Sequence, residues 1–81
     1  MSIEVKLFAV AKEIAQAETF QMESDGPISI AEVREKMASA FPELARVLGH
    51  TRFAVNAAYA TDQQLVSDSD EVAIIPPVSG G

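Results

Sequence analysis

A chain of 81 residues has room for one domain with one modest core, burying about 60 to 65% of the surface its unfolded form exposes, and no room for a large enclosed active site. Six Lys or Arg against twelve Asp or Glu give a formal charge of −6, with the acids scattered, which disfavours nucleic acid, anionic membrane and polyanionic small molecules as partners. The absence of cysteine excludes disulfides, thiolate metal sites and cysteine nucleophiles; with no basic-then-apolar leader and no run approaching about 18 apolar residues, the expectation is a soluble cytoplasmic protein.

Ile3, Val5 and Leu7 alternate with Glu4, Lys6 and Phe8, which predicts a strand with one face on a core. Residues 9–16 are alanine-rich, with Val10 and Ile14 four apart, and predict a short helix packed back on the sheet. A more polar strand follows over 18–23. Asp25-Gly26-Pro27 breaks the pattern, and Ser29 with Glu32 forms a capping box that opens the main helix. Ile30, Val33, Met37 and Phe41 recur on its inner face, Glu32 and Lys36 form an outward pair, and Pro42 closes it.

Pro42 also suits the first position of a second short helix over 42–48, stopped by Gly49. The apolar run 52–56 predicts a strand, and 58–61 pairs with it or with a neighbour. Leu65 and Val66 lead into the acidic turn Asp68-Ser69-Asp70. The β-branched run 72–75, bounded by that turn and by Pro76-Pro77, is the clearest strand in the chain. The order strand, short helix, strand, helix, then two or three strands implies a two-layer α+β domain.

Acid-base or nucleophilic catalysis needs poised groups in a cleft, and few are available. His50 is the sole histidine and follows Gly49 at a helix end, where capping or exposure accounts for it. Asp68, Asp70 and Glu71 lack the longer spacing and glycine bend of a calcium loop and read as a solvated turn. No phosphate loop or dinucleotide fingerprint is present. If Ile3, Val5, Leu7, Val72 and Ile74 face inward, Phe8 and Ile75 point to the other side, and Tyr59 can add its ring. Such apolar groups rimmed by charge mark a partner surface, unless the short helix buries them. The chain ends Pro76-Pro77-Val78-Ser79-Gly80-Gly81: two prolines fix φ and leave the sheet as a stiff arm, and two glycines make the thinnest possible tip. Such an arm reaches about 20 Å and can carry its carboxylate into another protein's pocket. A frayed terminus is the alternative on these residues alone.

Phe8-Ala9 after the first strand, Val55-Asn56 in the middle, and the acidic turn, apolar strand, double proline and Gly-Gly from Asp68 to Gly81 together resemble the MoaD family, the small subunit of molybdopterin synthase. The resemblance spans essentially the whole chain. It implies a β-grasp (ubiquitin-like) fold over 1–81, a mixed sheet on one main helix with first and last strands adjacent and parallel, and a protruding tail over 76–81. It further implies that a MoeB-type enzyme uses ATP to adenylate Gly81, that a sulfur donor protein converts it to a thiocarboxylate, and that no cofactor or metal is bound. Pro77, Val78, Ser79 and Gly80 would then enter the active site of a MoaE-like large subunit, with Phe8, Tyr59 and Ile75 as the docking surface. There sulfur passes to cyclic pyranopterin monophosphate, within a heterotetramer of two small and two large subunits. On this reading the chain is a non-catalytic carrier, and Gly81 is more substrate than catalyst. Ser69 departs from the family, many members having glycine there, and is tolerable where φ is not positive. The rival readings are a sulfur carrier for thiamine synthesis or tRNA thiolation, and a β-grasp interaction module with no chemistry at Gly81.

Overall fold

Alternation in the first strand decides which side of the sheet is buried. In a computed structural model that describes residues 1–75, with Ala9 and Val10 described by backbone alone, β1 (Ser2–Lys6) turns Ile3 and Val5 fully inward. Leu7 continues the buried row, while Glu4 is exposed and Lys6 half-buried. β7 (Val72–Ile75) repeats the pattern, with Val72 and Ile74 inaccessible. The two strands run parallel, Val5 beside Val72 and Lys6 beside Ala73. β2 (Thr19–Glu23) lies antiparallel to the far side of β1, and β4 (Arg52–Val55) antiparallel to the far side of β7. With β5 (Ala58–Ala60) outermost, the sheet order is β2-β1-β7-β4-β5. Parallel neighbours at the centre of the sheet need a connection that crosses one of its faces, while β2, β4 and β5 extend the sheet on either side.

The crossing layer is helical. α1 (Ala9–Ala15) packs Ala11, Ile14 and Ala15 on the core, α2 (Ile30–Ala40) buries Ile30, Val33 and Met37, and the 3-10 turn Pro42–Leu44 with α3 (Ala45–Leu48) adds Leu44 and Leu48. Phe41 is half-buried and meets Phe20 of β2 edge to face, centroids 5.4 Å apart. The expected second helix over 42–48 is thus a 3-10 turn running into α3. Gly49 follows it with φ −65° and ψ −18°, so the stop does not use glycine's left-handed freedom.

Two features differ from expectation around α2. Glu32 and Lys36 are both exposed and unpaired with each other; the ion pairs among the described residues are Lys6–Glu71, Lys12–Glu18 and Arg34–Asp62. An exposed pair on one helix contributes only about 0.2 to 0.5 kcal/mol, too little to hold two long side chains together. Only half of the capping box forms. Ser29 Oγ accepts from Glu32 N–H at 3.2 Å, but Glu32 makes no return bond, and Ser29 itself ends a strand. That strand, β3 (Ile28–Ser29), pairs antiparallel with β6 (Leu65–Val66) in a second small sheet that the sequence pattern did not announce. The first helical N–H groups then find main-chain acceptors, Ile30 N donating to Gln64 O at 2.9 Å and Ala31 N to Asp62 O at 3.0 Å. Three of the four orphan donors at this helix start are satisfied.

Arg34 holds the helical layer to the segments around it. One guanidinium nitrogen donates to Leu48 O and, at 3.0 Å, to Thr51 O, the other to Asp62 Oδ1 at 2.9 Å, and the group lies 4.9 Å over the Phe53 ring. α2, the end of α3, the start of β4 and the 61–64 segment meet at this one side chain. Arg34→Ala removes three hydrogen bonds and takes from the part-buried Thr51 carbonyl its side-chain donor, and should lower unfolding free energy by about 2 kcal/mol in urea titration; an unchanged midpoint would refute the clasp. A second expectation concerns the two-residue hairpin loop Asn56-Ala57 between β4 and β5, both at positive φ, 52° and 69°. Asparagine tolerates that region and alanine does not. Ala57→Gly should therefore stabilise by up to about 1 kcal/mol, read as a raised urea midpoint.

Candidate functional site

The outward face of the sheet is built by the residues that alternation leaves over. Lys6, Ala73, Ala54 and Tyr59 form one row across four strands, through the registers Lys6–Ala73, Ala73–Ala54 and Ala54–Tyr59. Ile75 and Arg52 form the next row, opposite one another on β7 and β4. Phe8 follows Lys6 by two residues, as Ile75 follows Ala73, so the parallel register carries both toward the same end of the sheet. Phe8 has extended backbone (φ −130°, ψ 160°) and is 47% exposed; Tyr59 is 66% exposed, and Ile75 is half-buried. α1 therefore does not cover Phe8, and the patch is open. The small side chains of Ala54 and Ala73 leave its centre shallow.

Charges frame this patch. Lys6 Nζ lies 3.5 Å from Glu71, Lys12 Nζ 3.2 Å from Glu18, and the Arg52 guanidinium rests 5.3 Å from the Tyr59 ring centroid. Both ion pairs are exposed and contribute little to stability. Arg52 was not singled out by the sequence reading, although its place one residue before the inward Phe53 was a readable sign that it faces outward with Tyr59.

The acidic turn proves to be a brace for β7. Asp70 accepts from Ser67 N–H at 2.8 Å and from the Asn56 amide at 3.0 Å, Glu71 N–H donates to Asn56 Oδ1 at 2.9 Å, and Asn56 N–H donates to Glu71 O at 2.8 Å. The β4–β5 hairpin is thus tied to the start of the last strand. Ser69 is not at positive φ, which accounts for serine where glycine was expected. Among the described residues no group of His, Asp or Glu is arranged to hold a metal ion, and His50 is exposed at the far end of α3. No helix among them is long and apolar enough to cross a membrane. The expected tail over 76–81, with Pro77, Val78, Ser79, Gly80 and Gly81, lies outside the described residues, which end at Ile75 beside the patch.

A mixed sheet with parallel central ends wrapped on one long helix defines a ubiquitin-like β-grasp protein. Residues 5–81 match the model of the ThiS family, to which the chain belongs, and its sequence places it with the molybdopterin synthase sulfur carrier subunits of the MoaD group. The subunit of that name from Arabidopsis thaliana is 33% identical over 81 residues, covering 100% of this chain and 84% of the relative. That from Chlamydomonas reinhardtii is 38% identical over 85 residues, covering 100% of both. Among solved structures, the crystal structure of the small archaeal modifier protein SAMP1 from Haloferax volcanii superposes with a TM-score of 0.84 at 31% identity, each chain fully covered. A protein–protein complex of subunits 1 and 2 of the molybdopterin-converting factor from Helicobacter pylori contains a chain that matches with a TM-score of 0.68 at 26% identity, again over 100% of both.

The brace has a pH signature. The Asn56 amide first, and then the Ser67 N–H, hold the Asp70 carboxyl below its ordinary value of 3.8. A group whose pKa falls on folding stabilises the fold above the unfolded value and loses that contribution as pH drops through the folded one. The stability advantage of the wild type over Asp70→Ala should therefore be full at neutral pH and shrink only below pH 3.8. Urea titrations of both proteins across the acid range test this, and a difference that vanished already near neutrality would refute it.

Proposed function

We propose that this chain is the cytoplasmic sulfur carrier subunit of a molybdopterin synthase, with the carboxylate of Gly81 as the carried group. The observation that carries the proposal is the open patch of Phe8, Tyr59 and Ile75 at the end of the sheet where β7 leads toward the terminal Gly-Gly, in a member of this family. A free carboxylate resists nucleophilic attack. A MoeB-type enzyme joins it to the AMP of ATP with release of pyrophosphate, and sulfur supplied at the sulfide level from a donor protein displaces AMP to leave a thiocarboxylate. Glycine keeps that carbonyl sterically open.

The patch then docks on a MoaE-like large subunit, in a heterotetramer of two small and two large chains. Pro77, Val78, Ser79 and Gly80 thread into its active site, where sulfur passes to cyclic pyranopterin monophosphate. The likeness to one chain of the Helicobacter pylori two-subunit complex supports a large-subunit partner. This chain's charge of −6 suits a division of labour in which the partner supplies the cationic groups that hold a phosphorylated pterin. No cofactor is assigned to the small chain. The likeness to the Haloferax volcanii modifier protein favours a second reading, in which the activated Gly81 is joined to an amine of a target protein.

Intact mass after incubation with ATP, a MoeB-type enzyme and a sulfur source tests the cycle. One oxygen should be replaced by sulfur, and the gain should disappear as molybdopterin forms on addition of the large subunit and precursor. A thiocarboxylate that persists would assign the chain to another route such as thiamine synthesis or tRNA thiolation, and one that never forms would favour the interaction module. Deleting Gly81 should abolish transfer and leave the unfolding midpoint unchanged. Phe8→Asp and Ile75→Asp should each weaken large-subunit binding by about 10- to 100-fold in titration calorimetry, since each places a charge in a desolvated contact.

A further inference from the structure

Of the six basic side chains, Lys6, Lys12 and Arg34 are ion-paired. Lys36 lies on α2 and Arg46 on α3, both in the helical layer, which leaves Arg52 as the one cation of the outer sheet face without a carboxylate partner among the described residues. None of its guanidinium N–H groups donates to an acceptor there either. The side chain is nevertheless not loose, since the Tyr59 ring lies 5.3 Å beneath it and the β4–β7 register sets it opposite Ile75. The contact with the ring restrains the guanidinium while its hydrogen-bond donors stay without an acceptor among the described residues.

We infer that Arg52 is a specificity anchor that receives a carboxylate of the partner protein docked on this face. The inference rests on the proposed large-subunit docking. A partner that covers Ile75 and Tyr59 must also strip water from the group between them. A guanidinium buried without an acceptor is strongly unfavourable, whereas one paired with a carboxylate in a two-pronged arrangement is both stable and directional. An unpaired cation in an apolar patch, on a chain whose net charge is −6, also lessens at this face the repulsion that the chain presents to an acidic surface. The partner surface thus combines an apolar seat for Phe8 and Ile75 with an Asp or Glu placed to meet Arg52. Tyr59 acts as a positioning residue, holding the fork in its outward pose before the encounter.

The test is titration of the full chain with the large subunit of its own source at low and high salt, using wild type, Arg52→Gln, Arg52→Glu and Phe8→Asp. Arg52→Gln should weaken binding about tenfold and Arg52→Glu about 50-fold or more, because reversal sets two carboxylates face to face. Wild-type affinity should fall with salt between about 50 and 500 mM, and that of Arg52→Gln should fall much less. Circular dichroism and the unfolding midpoint should match wild type for both, as Arg52 is exposed; should Arg52→Glu fail to fold, Arg52→Gln carries the comparison alone. If Phe8→Asp weakens binding while both Arg52 variants stay within about twofold of wild type, docking on this face stands and the anchor is overturned. If wild type does not bind the large subunit at all, the proposed function fails, and the anchor with it.

Discussion

The parallel pairing of β1 with β7 is the constraint from which the rest follows. It places the beginning and the end of the described chain side by side in the middle of the sheet, Val5 against Val72 and Lys6 against Ala73. The helical segments between them return over one face, which buries Val33, Met37, Leu44 and Leu48 there and leaves the other face bare. The same pairing brings Phe8 and Ile75 to one end of the sheet. A patch assembled from residues almost the whole chain apart is thus a by-product of closing the core.

Around that pairing the fold is secured by few polar elements, each at a junction. Arg34 joins the helical layer to β4 and the 61–64 segment, and Asn56 with Asp70 joins the hairpin to the start of β7. The two act on different sides of the molecule and share no residue. Their common feature is that most of the bonds have a main-chain group as donor or acceptor, and such bonds hold a segment in place more firmly than the exposed ion pairs do. The result is a last strand held at its entry by side chains and along its length by two neighbours.

Much of this was legible in the residues. Period-two alternation in 3–8 and 72–75 gave strands and faces, and the helical spacing of Ile30, Val33 and Met37 gave the buried side of α2. The same alternation put Phe8 and Ile75 on the outer side, but whether the short helix covers that side was not legible, and only the structure leaves Phe8 and Tyr59 exposed. The hairpin was harder to read because its loop is Asn56-Ala57, an alanine standing where glycine is the usual signal. The small sheet of β3 and β6 was invisible since two-residue strands carry no periodicity. Glu32–Lys36 pairing was read from spacing, yet spacing only permits an exposed pair and does not enforce it. Arg52 escaped notice for a different reason: a lone arginine is unremarkable until the register shows it opposite Ile75 and over Tyr59.

The start of α2 carries one more consequence. Its first two N–H groups are received by the carbonyls of Gln64 and Asp62, so two of its caps come from main chain and carry no side-chain signature. Any residue at position 64 presents the same oxygen. Sequence in this segment is therefore free to drift at position 64, while its length is not: one residue inserted or removed would shift both carbonyls off their donors and move the Asp62 carboxylate away from Arg34. Related chains should thus be expected to vary in letters here and to conserve the count, a pattern of tolerance set by backbone geometry and independent of anything the docking face requires.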